Sequence, residues 1–264
     1  MDTGTERLIG RRDGAIGWMI FNNPERRNAI STDMWQAIPK VMEAFEADPE
    51  VRVVVFAGAG DKAFVSGADI SQFESRRSDA ASEAAYSSDS GAANAAMARL
   101  SKPSIAMIRG YCIGGGLAVA LTCDLRICAE DARFAIPAAR LGLGYGFGGV
   151  KALIDVVGPS YAKEILFTAR QFDAAEALRI GLVNKVVPVV ELELAVRDYA
   201  DLIGRNAPLT LRAAKLAARE AMRDPAGRRL DEVEAAVKAC FDSADYAEGR
   251  QAFMQKRAPA FKGA

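Results

Sequence analysis

Apolar runs and their punctuation divide the chain into alternating elements. Gly14 to Phe21 (GAIGWMIF) is apolar almost throughout and ends at Asn22-Asn23-Pro24, which predicts a strand running into a turn. Ser31 or Thr32 can cap a helix reaching about Ala47, because Trp35, Ile38, Met42 and Phe45 recur at helical spacing. Val51 to Ala57 is β-branched and bounded by Gly58-Ala59-Gly60, the pattern of a buried strand. Ser104 to Arg109 and Leu125 to Ala129 predict two more strands, with a short helix from Gly114 between them. Ser71 to Ala98 is rich in Ala and Ser and carries scattered charges, which predicts an exposed helix with a loose start; a mobile lid is the sharper reading.

From Val150 onward the pattern turns mostly helical. Asp173-Ala-Ala-Glu176 fits a capping box, with Gly181 as the C-cap of the short helix that follows. Pro208 and Asp231 sit near the starts of two further amphipathic helices, and the segment from Ser243 to Arg257 breaks at Pro259. The order predicts one α/β core over residues 1–200 and a C-terminal helical region over 201–264, with ligand-contacting loops at strand ends.

Composition narrows the chemistry. The 264 residues include 34 Lys plus Arg against 34 Asp plus Glu, so no overall field favours nucleic acid or an anionic membrane. There is no histidine, which excludes Ser-His-Asp and Cys-His catalysis, most zinc sites and a histidine general base. Cys112, Cys123, Cys128 and Cys240 form no CxxC pair, and three fall in apolar stretches, as reduced, buried thiols of a cytoplasmic protein do. The N-terminus lacks the pattern of a signal peptide, and the longest weakly polar run is too short and glycine-rich to span a bilayer. Neither GxGxxG after the early strands nor GxxxxGK[ST] is present.

Two glycine-lined stretches, Phe64-Val-Ser-Gly-Ala-Asp-Ile70 and Gly110-Tyr-Cys-Ile-Gly-Gly-Gly116, each follow a strand and open a helix. Gly114 to Gly116 can serve a tight strand-to-helix crossing, where side chains would clash, or present a backbone amide at a helix N-terminus. Ser66-Gly67-Ala68-Asp69 offers the same pair of readings, a helix cap at Ser66 or Asp69 or a second amide. Two amides converging on one point would hold the negative charge that develops on a carbonyl oxygen.

These stretches, together with Asn23-Pro-Glu-Arg-Arg-Asn-Ala-Ile30, Lys62-Ala63, Cys123-Asp124-Leu-Arg-Ile-Cys-Ala129, Gly158-Pro159, Leu182-Val-Asn184 and Phe253-Met-Gln-Lys256-Arg257, resemble the crotonase family of enoyl-CoA hydratases and isomerases. The resemblance runs from about Leu8 to Phe261. It implies a spiral of ββα turns with a C-terminal helical region that packs trimers, often paired into hexamers. It implies an acyl-CoA thioester as substrate, with no metal and no further cofactor. The amides of Ser66 and Gly115 would form the oxyanion hole beside Gly114. Arg26, Arg27 and Ala29 would line the CoA phosphates and adenine side, and Ala68, Asp69 and Ile70 would border adenine and pantetheine. Phe253 and Lys256 lie in the tail that, in relatives, reaches a neighbouring subunit's CoA.

Two departures bear on the reaction. Family hydratases carry glutamates where this chain has Ala118 and Ala138. Water addition needs one carboxylate to activate water and a carboxylic acid to protonate carbon, and alanine does neither. The loop Leu141-Gly-Leu-Gly-Tyr145-Gly-Phe-Gly-Gly149 resembles that of methylmalonyl-CoA decarboxylases in the same family, which makes Tyr145 a candidate catalytic group; the alternative is an aromatic packing on a subunit contact. Arg140 could hold a substrate carboxylate or sit solvated at a strand end. Asp124 reads as structural, and Glu74 as a group that could swing in from the lid. A non-catalytic acyl-CoA-binding protein is the reading from a different class.

Overall fold

A computed structural model of the chain describes residues 1–69 and 80–264. Its logic is a repeat in which each pass of the chain gives one strand to each of two sheets before a helix returns. Strands β3 (Val53–Gly58) and β4 (Ala63–Val65) precede a helix, α2, described over Ala80–Arg99. Strands β5 (Ser104–Ile108) and β6 (Tyr111–Ile113) precede α3 (Gly115–Thr122), and β7 (Leu125–Ala129) and β8 (Arg133–Ala135) precede α4 (Phe147–Thr168). An N-terminal hairpin, β1 (Leu8–Asp13) and β2 (Ile16–Phe21), leads into α1 (Thr32–Ala47), while β9 (Phe172–Asp173), α5 (Ala174–Arg179) and β10 (Lys185–Val187) close the core.

The larger sheet runs β1-β2-β3-β5-β7-β10, antiparallel only at β1/β2, and the smaller runs β4-β6-β8-β9, antiparallel only at β8/β9. This is the ββα spiral that the resemblance implies. Helix α1 buries Met34, Trp35, Ile38, Val41 and Phe45 against the inner face, as its spacing predicts. The outer face is covered by α6 (Leu192–Gly204), which lays Leu192, Ala195, Val196 and Ala200 on Trp18, Val55 and Ile105. Each Leu, Ile, Val, Met or Phe side chain so removed from water contributes about 1.5–3 kcal/mol to folding.

The boundary expected after residue 200 falls inside α6, whose apolar face belongs to the core. The helical extension instead starts at α7 (Pro208–Ala221) and continues through α8 (Leu230–Phe241) and α9 (Ala244–Met254). Asp124 ties that extension to the core: its carboxylate accepts from the Ser104 amide at 2.7 Å and from Lys215 Nζ of α7 at 2.7 Å. The N-cap of α5 is Asp173, which accepts from the Glu176 amide at 2.8 Å, as expected. Among the described residues no helix is long and apolar enough to cross a membrane. The cysteines are free; Cys112, Cys123 and Cys128 are buried, and burial pushes the Cys123 thiol up to about 12.

Candidate functional site

Strands β4 and β6 lie side by side and parallel, so the loops leaving their carboxyl ends meet. After β4, residues 66–69 pair with the turn that follows β2. The Ser66 amide donates to the Arg27 carbonyl at 3.1 Å, the Ile30 amide to Gly67 at 2.8 Å, and the Asp69 amide to Ile30 at 3.1 Å. In such a parallel bridge the residue opposite the bonded one, Ala68 against Ile30, turns its own N–H to the other side.

On that other side lies the start of α3. A Cβ built on Gly115 would sit 3.7 Å from the Ala68 nitrogen, and one built on Gly67 would sit 3.8 Å from the Gly115 nitrogen. Gly115 is the first residue of α3, and no side chain caps it. Its N–H is therefore one of the donors a helix start leaves unpaired, at the positive end of the helix dipole. The approach depends on two glycines. Gly114 turns the chain with φ +55°, and a Cβ on Gly116 would lie 2.0 Å from the Val65 carbonyl oxygen. Only a residue without a side chain lets the helix start so close to β4.

The expected donor Ser66 is thus corrected. Its N–H is already spent on the Arg27 carbonyl, and the amide facing Gly115 is that of Ala68, two residues on. A two-residue step keeps the side of the chain in an extended segment, but Gly67, with φ +111°, breaks that regularity, so no sequence spacing could have chosen between them.

Both alanines flank this point. Ala118 lies one turn into α3, its amide donating to the Gly114 carbonyl at 3.1 Å. Ala138 lies in the short 3-10 turn Pro137–Leu141, brought near when the Gly114 amide donates to the Ala135 carbonyl at 2.8 Å. Both are half-buried. Tyr145, just beyond, is half-buried with its ring against Gly149, and burial pushes its phenol above the usual 10. Arg140 is exposed. Glu74 and Ile70 lie outside the described residues.

On the side of the β2 turn, Arg26 pairs with Asp69 at 3.1 Å, and the Arg27 guanidinium stacks 4.8 Å above the Tyr111 ring. Arg27 and Lys62 line a cleft of about 280 Å³. Ala29 is buried beneath the turn, its amide donating to the Arg26 carbonyl at 3.1 Å and its carbonyl accepting from the Asn23 side chain at 3.2 Å. Asn28 is a residue the sequence reading did not single out. It is buried at φ +57° and its amide donates to the Ala59 and Ala63 carbonyls at 2.9 and 2.8 Å, which holds the turn beside β4. Its signal was its place in the Asn-Pro turn, where asparagine tolerates left-handed backbone.

Phe253 and Lys256 stand elsewhere within one chain. Phe253 is 86% exposed beside an apolar groove of about 720 Å³ between α7, α8 and α9, and no residue of loops 26–30, 66–69 or 114–116 lines that groove. Among the described residues no three His, Cys, Asp or Glu side chains gather as metal ligands.

The Ala68 nitrogen and Gly115 thus lie together at a helix start, beside two alanines and near a cleft lined by Arg27 and Lys62 and by Glu25 and Asp61. Known proteins share this frame. The sequence profile of the Enoyl-CoA hydratase/isomerase family matches residues 11–264. The chain is 37% identical over 256 residues to a crotonyl-CoA hydratase of Syntrophomonas wolfei, covering 96% of each. It is 36% identical over 253 residues to a short-chain-enoyl-CoA hydratase of Clostridium acetobutylicum, covering 95% of each. The solved structure of an enoyl-CoA hydratase/carnithine racemase from Magnetospirillum magneticum superposes with a TM-score of 0.91 at 35% identity, over 98% of this chain and 97% of that one. The chain belongs to the crotonase family of enoyl-CoA hydratases and isomerases.

Proposed function

We propose that this chain binds an acyl-CoA thioester and stabilises its enolate between the N–H groups of Ala68 and Gly115, without hydration by the two-carboxylate route. The observation that supports the reading is the approach of the Ala68 nitrogen to Gly115 at the uncapped start of α3, with Ala118 and Ala138 half-buried beside it. A thioester oxygen between them gains two fixed donors as negative charge builds, each worth about 3–4 kcal/mol in the transition state. Arg26, Arg27, Asp69 and Gly114 border the CoA path. The names of the relatives, a crotonyl-CoA hydratase and a short-chain-enoyl-CoA hydratase, support the substrate class.

A second reading rests on the half-buried Tyr145. In decarboxylation of a 2-carboxyacyl-CoA the bond to the carboxylate breaks, CO₂ leaves, and the electron pair becomes the enolate. The α-carbon then takes a proton, for which the Tyr145 phenol, kept protonated by burial, is the candidate donor. The exposed Phe241, Phe253 and Met254 of the C-terminal helices support assembly as a homotrimer, or as two trimers paired. Phe253 and Lys256 would then reach a neighbour's CoA rather than the same chain's.

The test is hydration of crotonyl-CoA by the native protein and by the Ala118→Glu/Ala138→Glu double variant. The expected result is hydration by the variant alone. Turnover by the native protein would overturn the absence of the carboxylate route. Inactivity of both, with no CoA affinity, would overturn the acyl-CoA site. CO₂ release from methylmalonyl-CoA, lost in Tyr145→Phe, would select the second reading.

A further inference from the structure

Helix α3 starts at the thioester site and ends in the core, and its two ends are served differently. Its own residues carry no charge, with no acidic group in the first turn and no basic group in the last. At the start no side chain caps it. At the far end a cation arrives from another element. Strand β7 lays Leu125, Ile127 and Ala129 on the outer face of the larger sheet and Cys128 on the inner. By the same alternation Arg126 points inward, where it is only 7% exposed.

The Arg126 guanidinium meets carbonyls there. Its Nη1 donates to the Cys123 carbonyl at 2.7 Å and to the Ala120 carbonyl at 3.4 Å, both at the end of α3. Its Nε donates to the Leu182 carbonyl at 2.7 Å. The backbone is fixed as well, since the Arg126 amide donates to the Asn184 side chain at 2.8 Å and the Asn184 amide to the Arg126 carbonyl at 2.8 Å. Asp124 does not bond to it; that carboxylate is engaged by the Ser104 amide and by Lys215 Nζ, each at 2.7 Å. Cys112 and Cys123, which also face the guanidinium, are kept as neutral thiols by burial.

A buried cation without a bonded counter-ion costs free energy even when its donors are satisfied. The carbonyl end of a helix offsets part of that cost, because it is the negative end of the dipole. What results is a positive charge, sheltered from salt, at one end of an uncharged helix whose other end is open. The eight residues of α3 rise about 12 Å, and a hydrogen bond to Gly115 adds about 3 Å. At about 15 Å and an effective dielectric of about 20, one unit charge changes the acidity of an enol by about 0.8 unit.

We infer that Arg126 is a positioning residue of the oxyanion site, given an acyl-CoA thioester bound there as proposed above: it anchors the far end of α3 and sets a buried positive charge behind the Gly115 N–H that favours the enolate.

The enolate titration of bound acetoacetyl-CoA tests it, followed by ultraviolet absorbance over a pH series with CoA affinity and Tm measured alongside. Arg126→Gln keeps hydrogen-bond donors and removes the charge. Its titration should rise by about half a unit to one unit, with CoA affinity unchanged. Arg126→Lys keeps the charge and should titrate within about 0.3 unit of the native protein, even where Tm falls. Thr122→Lys adds a charge at the same end of α3, at a half-buried position, and should lower the titration by roughly 0.3 unit. It stays informative if Arg126→Gln folds poorly. Gly115→Pro, measured in parallel, separates two kinds of failure. A shift in Gly115→Pro but none in Arg126→Gln or Thr122→Lys would overturn the role of Arg126 and leave the thioester site standing. No shift in Gly115→Pro would overturn the thioester site, and the role of Arg126 with it. Equal shifts in Arg126→Gln and Arg126→Lys would reduce Arg126 to packing and overturn the role of its charge.

Discussion

Replacing Gly115 by proline removes one of the two facing N–H groups while leaving the helix a way to form. Gly115 is the first residue of α3, where a missing N–H breaks no intrahelical bond and the fixed proline φ suits the helix. Gly114 before it, at φ 55° and ψ −114°, is already outside the right-handed helical region that a following proline disfavours. The new Cβ would sit 3.7 Å from the Ala68 nitrogen and 3.7 Å from Gly67 Cα, ordinary contact distances. Loss of one oxyanion donor costs about 3 kcal/mol. For an enolate already formed on the protein that is about two units in its acidity, since one unit is about 1.4 kcal/mol.

The assay follows the enolate fraction of bound acetoacetyl-CoA by ultraviolet absorbance across a pH series, with CoA affinity measured alongside. It needs no catalytic acid or base, so it isolates the donor pair from the question of which reaction the protein performs. Gly115→Pro should shift the enolate titration upward by about two units. Gly115→Ala, which keeps the N–H and adds only a methyl group, should titrate close to the native protein. Coincident titrations for native and proline variants, with CoA still bound, would refute the placement of the thioester oxygen between Ala68 and Gly115.

Two further outcomes follow from packing and charge. Gly116→Ala places a methyl group 2.0 Å from the Val65 carbonyl oxygen and 2.7 Å from its carbon, a backbone clash that no rotamer relieves. It should destabilise by about 3 kcal/mol or more and lower Tm by several degrees in calorimetry; a native Tm would contradict the close approach of α3 to β4. Glu248 holds the C-terminal tail through the Arg257 guanidinium and the Ala260 amide, which keep its carboxyl down at about 2 against an ordinary 4.5. Because the folded carboxyl binds its proton less tightly than the unfolded one, its contribution is complete above pH 4.5 and fades as pH falls from there toward 2. Tm should therefore drop more steeply over that window in the native protein than in Glu248→Gln; parallel curves would show that the contact carries no pH-dependent stability.

The long elements were legible because their patterns are long. Trp35, Ile38, Met42 and Phe45 mark α1 over about three turns, and the run before Gly58 marks β3. Strands β4, β6 and β8 are three residues each and were not read. Alternation over three positions is no signal, and these strands are stabilised by pairing with one another across the fold. The contacts of Arg126 were equally hidden. It falls inside a predicted strand, and its Leu182 partner lies 56 residues on and becomes a neighbour only through the fold.

By itself the sequence determined the family, through ordered motifs spread over nearly the whole chain, and the absence of histidine and of carboxylates at Ala118 and Ala138. It also located the two glycine-lined loops, since close backbone approach leaves glycine as its local trace. Only the tertiary structure decided that the amide facing Gly115 belongs to Ala68 and not Ser66. Which side of a strand an N–H faces depends on the partner strand's register, and that partner, the turn at Arg27 to Ile30, lies almost forty residues away along the chain.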